Sequence, residues 1–195
     1  CGQTDIYLLD QIQKERFHKN MQILDAGCGG GRNLHYFLKQ GFDIFGIDQL
    51  PEAIAKTLEL KRQLYPALPD DHFVQAALDS IPYPDAHFDA IICSAVLHFA
   101  KDEKHFHAMV DEMWRCLKPD GLLFARLASS IGIESRIQPL DGRRYLLPDG
   151  TKRFLVDETM LLRKTYALGA SFLEPIKTVN VQNARCMTTW VVKKG

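Results

Sequence analysis

Ile23-Leu24-Asp25-Ala26-Gly27-Cys28-Gly29-Gly30-Gly31-Arg32-Asn33 decides the reading of this chain. A short apolar run ends at Ala26, four glycines fall within five positions, and a helical pattern opens after them. Glycine turns the backbone sharply and lets a ligand approach main chain without meeting a Cβ. A strand, a glycine-rich turn and a helix together make a cradle for a nucleotide-like ligand at the carboxyl edge of a sheet.

The segments around this stretch alternate in type. Thr4 is placed to cap a first helix carrying Ile6, Leu9 and Ile12. Strand patterns at residues 22–26, 42–48, 72–76, 88–94 and 122–128 alternate with helical patterns at 33–40, 51–64 and 103–117. In the last of these, Phe106, Met109, Val110, Met113, Trp114 and Leu117 recur at helical spacing. Lys118-Pro119-Asp120-Gly121 then breaks it. Strands separated by helices of this length require crossovers, hence a parallel sheet.

After Ala128 the pattern changes. Residues 129–153 show no period and hold Pro139, an Asp141-Gly142 pair, Pro148 and an Asp149-Gly150 pair. The stretch 144–154 reads as a hairpin turning at Asp149-Gly150. A helix follows over 156–168 and stops at Gly169, and two strands, 172–181 and 186–193, lie too close in sequence for a parallel crossover. The expected architecture is α/β: a Rossmann-like, doubly wound, mostly parallel sheet with a C-terminal antiparallel hairpin and helices on both faces. It forms one domain over 1–195, with 129–153 inserted as a substrate lid.

The spacing narrows the ligand. A phosphate loop wants Lys-Ser/Thr after its glycines, and Gly31 is followed by Arg32-Asn33. A dinucleotide fingerprint wants GxGxxG; Gly27 and Gly29 fit, but the third position is Arg32, which disfavours a nicotinamide or flavin site without removing it.

Several separated motifs bear on the choice: 24–31; Gly46-Ile47-Asp48; Ser80-Ile81-Pro82-Tyr83-Pro84-Asp85-Ala86-His87-Phe88-Asp89; and Leu117-Lys118-Pro119-Asp120-Gly121-Leu122. In this order they resemble the class I S-adenosylmethionine-dependent methyltransferases across most of the chain. Gly31-Arg32-Asn33 is similar to the small-molecule methyltransferases of the tellurite-resistance type. The resemblance implies S-adenosylmethionine as cofactor, held by Asp25, Gly27, Cys28, Gly29, Asp48, Gln49, Ala77, Leu78, Ser94 and Ala95. Asp48 lies at the interval where an acid reaches a ribose. Asp25 is expected to hold the loop's amides, and Cys28 reads as a small filler rather than a nucleophile. Aligned on Pro82, Ala77 stands where family members often carry an acid for the adenine amino group; Leu78 still offers its amide there, and Asp79 is a candidate substitute.

In such a sheet the site lies beyond the carboxyl ends of the strands. Ser94 and Ala95 then line the cofactor, and His98, about a turn later, is the candidate general base. Arginine grips carboxylate or phosphate through paired hydrogen bonds, so Arg126, Arg144 and Arg185, with Tyr145, are the candidate contacts to an anionic small acceptor. The alternatives are a protein or RNA methyltransferase docking on 129–153, or a non-catalytic cofactor-binding scaffold.

Composition agrees with a small-molecule enzyme. Lys+Arg and Asp+Glu are both 24, so the net charge is zero, against the basic face nucleic acid requires. No apolar run approaches the roughly 20 residues that span a bilayer, and no secretory leader is read at the start. Cys1, Cys28, Cys93, Cys116 and Cys186 are scattered with no CxxC pair. Reduced thiols in a cytoplasm are therefore expected, with neither disulfide nor metal. His105 and His107 are read as surface or groove residues, and a monomer or homodimer is expected.

Overall fold

A computed structural model describes residues 4–195; Cys1 lies outside them. In chain order the elements are α1 (Ile6–Gln13), β1 (Gln22–Ala26), α2 (Leu34–Lys39), β2 (Asp43–Asp48), α3 (Pro51–Leu64), β3 (Phe73–Gln75), β4 (Phe88–Ser94), α4 (Glu103–Cys116) and β5 (Leu117–Ser129). They continue with β6 (Gln138–Asp141), β7 (Arg144–Leu146), β8 (Lys152–Phe154), α5 (Glu158–Ala167), β9 (Ser171–Phe172), β10 (Lys177–Val181) and β11 (Arg185–Lys193).

The main sheet runs β10-β11-β5-β4-β1-β2-β3, with β9 beside β11. From β3 to β5 every pairing is parallel; β11 pairs antiparallel with β5 and β10. The doubly wound order and the C-terminal antiparallel hairpin are those the sequence predicts. Strand order reverses between β1 and β4, so the switch point lies beside the glycine loop.

Helices cover both faces. One core packs α4 and α5 against Leu24, Ile91, Leu123, Ala125 and Trp190. The other packs α1, α2 and α3 against Ile23, Ala90, Ile92, Phe124 and Val191. Burying a large apolar side chain contributes roughly 1.5–3 kcal/mol, and the alternation along β1, β4 and β5 supplies both cores at once. α4 buries Phe106, Met109, Val110, Met113 and Trp114, the stripe read from the sequence.

Four local expectations change, the first being that the strand expected over 172–181 is split into β9 and β10. α1 is capped by Asp5, whose side chain accepts from the Tyr7 amide, not by Thr4. Lys118–Gly121 does not end an element. Leu117 already pairs with Phe88, and the irregularity survives as a register shift inside one long strand, with Asp120 at φ 62°. Residues 138–154 form two hairpins: β7–β8 turns at Asp149-Gly150 as expected, and β6–β7 turns after Asp141, giving a separate three-stranded antiparallel sheet. Leu147 and Leu155 seat that sheet on Ala128 and Met187.

Candidate active site

Beyond the carboxyl ends of β1–β4 opens a cavity of about 540 Å³. Its walls follow strand order: Gly27 and Gly29 after β1, Asp48 and Gln49 at the end of β2, Ala77, Leu78 and Asp79 after β3, and Ser94 and Ala95 at the end of β4. Of the residues the sequence assigns to the cofactor, eight lie here and two, Asp25 and Cys28, do not.

The loop is tied on three sides. The Gly27 and Cys28 amides donate to the Ile47 carbonyl at 2.8 and 2.9 Å. The Gly29 amide donates to Asp48 Oδ2 at 2.9 Å, and Thr57 Oγ1 donates to the Gly29 carbonyl at 3.0 Å. Asp48 Oδ1 accepts from the Leu50 amide, so one carboxylate fixes both the loop and the start of α3. Two glycines answer to different demands. At Gly27 (φ 84°) a Cβ would stand 2.4 Å from Val96 Cγ2, so the position is sterically closed. At Gly29 (φ 53°) a Cβ would meet nothing within 4 Å; it would project into open space where a ligand can approach.

Asp25 is buried, and among the described residues no loop amide donates to it, contrary to expectation. Burial raises its carboxyl to about 7, with Arg32 pulling it down and Asp48 pushing it up. Cys28 turns into the core. Its Sγ lies 3.8 Å from Thr57 Oγ1, and burial pushes its thiol up, so its part in the site is backbone and packing. Cys93, Cys116 and Cys186 are also free and buried, and among the described residues no cluster could hold a metal.

The chain after β4 contributes more than the sequence reading assigned. Val96, Phe99 and Lys101 line the cavity, as do His105 and Met109 of α4. Ala95 adopts φ 64°, a left-handed conformation that L-residues avoid. Asp79, the candidate substitute for an acid at Ala77, lines the wall, and His105 Nε2 lies 3.4 Å from its Oδ2. His105 is thus a groove residue, with Nδ1 accepting from the Lys101 amide at 3.1 Å.

His98 does not line this cavity. It is buried against β5, with Nδ1 accepting the Ala128 amide at 3.3 Å. Burial, then the charges of Arg153 and Arg126, hold it down at about 4. The lone pair a base would use is occupied by that amide.

The four candidate acceptor contacts are not gathered in one place. Arg126 donates to Asp5 Oδ2 at 2.9 Å and lies 4.9 Å over the Tyr7 ring, securing α1. Arg32 and Asn33 serve the same residue: Asn33 Oδ1 accepts the Asp5 amide, and Arg32 reaches Asp5 at 3.9 Å. Arg185 lies 3.6 Å from Asp149 and holds the β7–β8 turn. Tyr145 packs on the Leu147–Met187 cluster. Arg144 is exposed and among the described residues forms no ion pair.

A family model described as "Methyltransferase domain" matches residues 24–125, just over half of the chain, taking in the end of β1 and all of β2, β3 and β4. The chain belongs to the methyltransferase domain family. It is 33% identical over 149 residues to a ubiquinone biosynthesis O-methyltransferase of Xylella fastidiosa, covering 75% of this chain and 58% of that protein. The chain thus spans little more than half the length of that relative. Among solved structures, a SAM-dependent methyltransferase of Methanosarcina mazei superposes with TM-score 0.75 at 19% identity, over 94% of this chain and 96% of that one. Magnesium protoporphyrin IX methyltransferase of Synechocystis PCC 6803, crystallised with S-adenosylhomocysteine, gives 0.73 at 14%, over 97% and 81%. The cofactor of this methyltransferase domain is S-adenosylmethionine, and the residues present suit it: an open glycine cradle, an acid at the end of β2, and the buried Ser94 Oγ without a partner among the described residues. No described helix is long and apolar enough to cross a membrane.

Proposed function

We propose that this methyltransferase moves a methyl group from S-adenosylmethionine to a small molecule bearing an anionic group. The observation that carries the reading is the convergence of Gly29, Asp48, Leu78 and Ser94 on one cavity within the family's matched region. Asp48 is assigned to the ribose hydroxyls, Leu78 and Asp79 to the adenine, and Gly27, Ser94 and Ala95 to the methionine portion. Asp25 acts from beneath the loop as a buried acid. The cofactor supplies an electrophilic methyl on a sulfonium.

Neither histidine near the cavity offers a free Nδ1 lone pair: His98 receives an amide there, and so does His105. This favours an acceptor that arrives already nucleophilic, such as a carboxylate or thiolate, with the protein's work being alignment for in-line displacement. The names of the relatives, a ubiquinone biosynthesis enzyme and a protoporphyrin enzyme, support a small-molecule acceptor. The small-molecule likeness at Gly31-Arg32-Asn33 points the same way. Residues 129–153 are assigned as the lid, carried on their own sheet beside β5.

Incubation with methyl-labelled cofactor and a metabolite extract, followed by identification of the labelled product, tests the reading. A labelled small molecule is expected; label found only in protein or RNA would overturn it.

A further inference from the structure

Beside the cofactor cavity lies a second, smaller pocket of about 160 Å³ that shares Phe99 and Lys101 with it. His98, Arg144, Lys152 and Phe154 complete most of its wall. Its polar side chains are all donors. Among the described residues Lys101, Arg144 and Lys152 form no ion pair, and no carboxylate lines the pocket. Other cations nearby are paired, Arg143 with Asp157 and Glu103, Arg185 with Asp149, and Lys164 with Asp111, whereas Arg153 forms no ion pair among the described residues.

His98 completes the set. Because Nδ1 accepts the Ala128 amide, the neutral ring carries its proton on Nε2, which has no partner among the described residues. Arg153 lies 4.8 Å over the Phe99 ring and adds a further cation at the rim. Phe99 itself is 59% exposed, an aromatic face standing between the two pockets. Three exposed cations without an ion-pair partner and a fixed neutral donor facing one pocket favour an anion there, and an arginine fork suits a planar or tetrahedral oxyanion. The volume lies below the roughly 300 Å³ at which ligand pockets begin, so the pocket takes one group, not a whole molecule.

We infer that this pocket binds a single oxyanion group of the methyl acceptor, carboxylate or phosphate, and lays the rest of the acceptor over Phe99 toward the cofactor. Naming the ligand as the acceptor rests on the proposed function; the affinity for an oxyanion does not. His98 serves here as a positioning donor, and Lys101, Arg144 and Lys152 set specificity.

The test is titration of the 15N-labelled protein with inorganic phosphate and, separately, succinate, at constant ionic strength held with chloride. The His98 ring signals are followed by NMR in wild type and in the Arg144→Gln/Lys152→Gln double variant, both positions being exposed. Saturable movement of the His98 signals by one probe is expected, with affinity reduced roughly tenfold or more in the double variant; the responding probe tells carboxylate from phosphate. Unmoved His98 signals with both probes, or equal affinity in the variant, would overturn the inference. S-adenosylhomocysteine titrated into the same samples reads the methyltransferase assignment separately, and its affinity is expected to be the same in both proteins.

Discussion

The Gly29 amide donates to Asp48 Oδ2 at 2.9 Å, so the acid ending β2 and the loop following β1 form one rigid unit. The two residues lie 19 positions apart, and the adjacency of β1 and β2 brings them together. The carboxylate keeps lone pairs for a ligand while its position is fixed by two backbone amides.

The two glycines of this unit separate stability from binding. Gly27→Ala places a methyl on Val96 and is expected to destabilise by about 2–4 kcal/mol, with Val96→Ala restoring part of the loss. Gly29→Ala carries only the left-handed strain, about 1–2 kcal/mol, but weakens S-adenosylhomocysteine binding. Urea unfolding and calorimetry on both variants check the split; equal effects on both properties would refute it.

Asp25 makes stability depend on pH. Its carboxyl titrates near 3.8 in the unfolded chain and at about 7 in the native one. Between these values the native state holds the proton more tightly, so this group's contribution falls as pH rises through the window and is level above it. Each pH step across that window is worth roughly 1.4 kcal/mol at most. Asp25→Asn is therefore expected to match wild type near pH 4 and to exceed it by about 2–4 kcal/mol at pH 8. Thermal melts across pH measure the difference, to which His98 contributes equally in both proteins.

Arg126 and Asp5 should behave as a structural pair. Both are largely buried, at 17% and 3% side-chain exposure. Arg126→Gln and Asp5→Asn are each expected to cost about 3–5 kcal/mol, with a double-mutant coupling of about 1–3 kcal/mol. Strict additivity of the two losses would show that Arg126 is free to serve a ligand instead.

Ala95 holds a backbone conformation suited to glycine. Ala95→Gly is expected to be neutral or stabilising by up to about 1 kcal/mol in chemical denaturation, against the usual penalty for introducing glycine. A loss of about 1 kcal/mol or more would show that the conformation is unstrained.

The sheet was legible because strands buried on both faces read as apolar runs, and α4 carries its period plainly. Cavity-lining positions were legible where strand ends place them, as at Gly29, Asp48, Leu78 and Ser94. Contacts made by long side chains were not. Arg126 finds Asp5 across 121 residues, and no local pattern announces that pair. His98 lies in a single 3-10 turn, Leu97–Phe99, where one residue's rotation decides between cavity and core. Thr4 and Asp5 are both good caps, and only the Tyr7 amide distinguishes them. Asp141-Gly142 did carry a turn signal for the β6–β7 hairpin, but the exposed β6 gives no alternation to extend it.

The central claim is that the cavity ringed by Gly29 and Asp48 binds S-adenosylmethionine. Calorimetric titration of S-adenosylhomocysteine into wild type and Asp48→Ala tests it most directly. Saturable binding is expected in wild type, with a loss of about 1.5–3 kcal/mol in the variant, the worth of a charge-assisted hydrogen bond. Absence of binding in wild type at high micromolar ligand, or an unchanged affinity in Asp48→Ala, would contradict it.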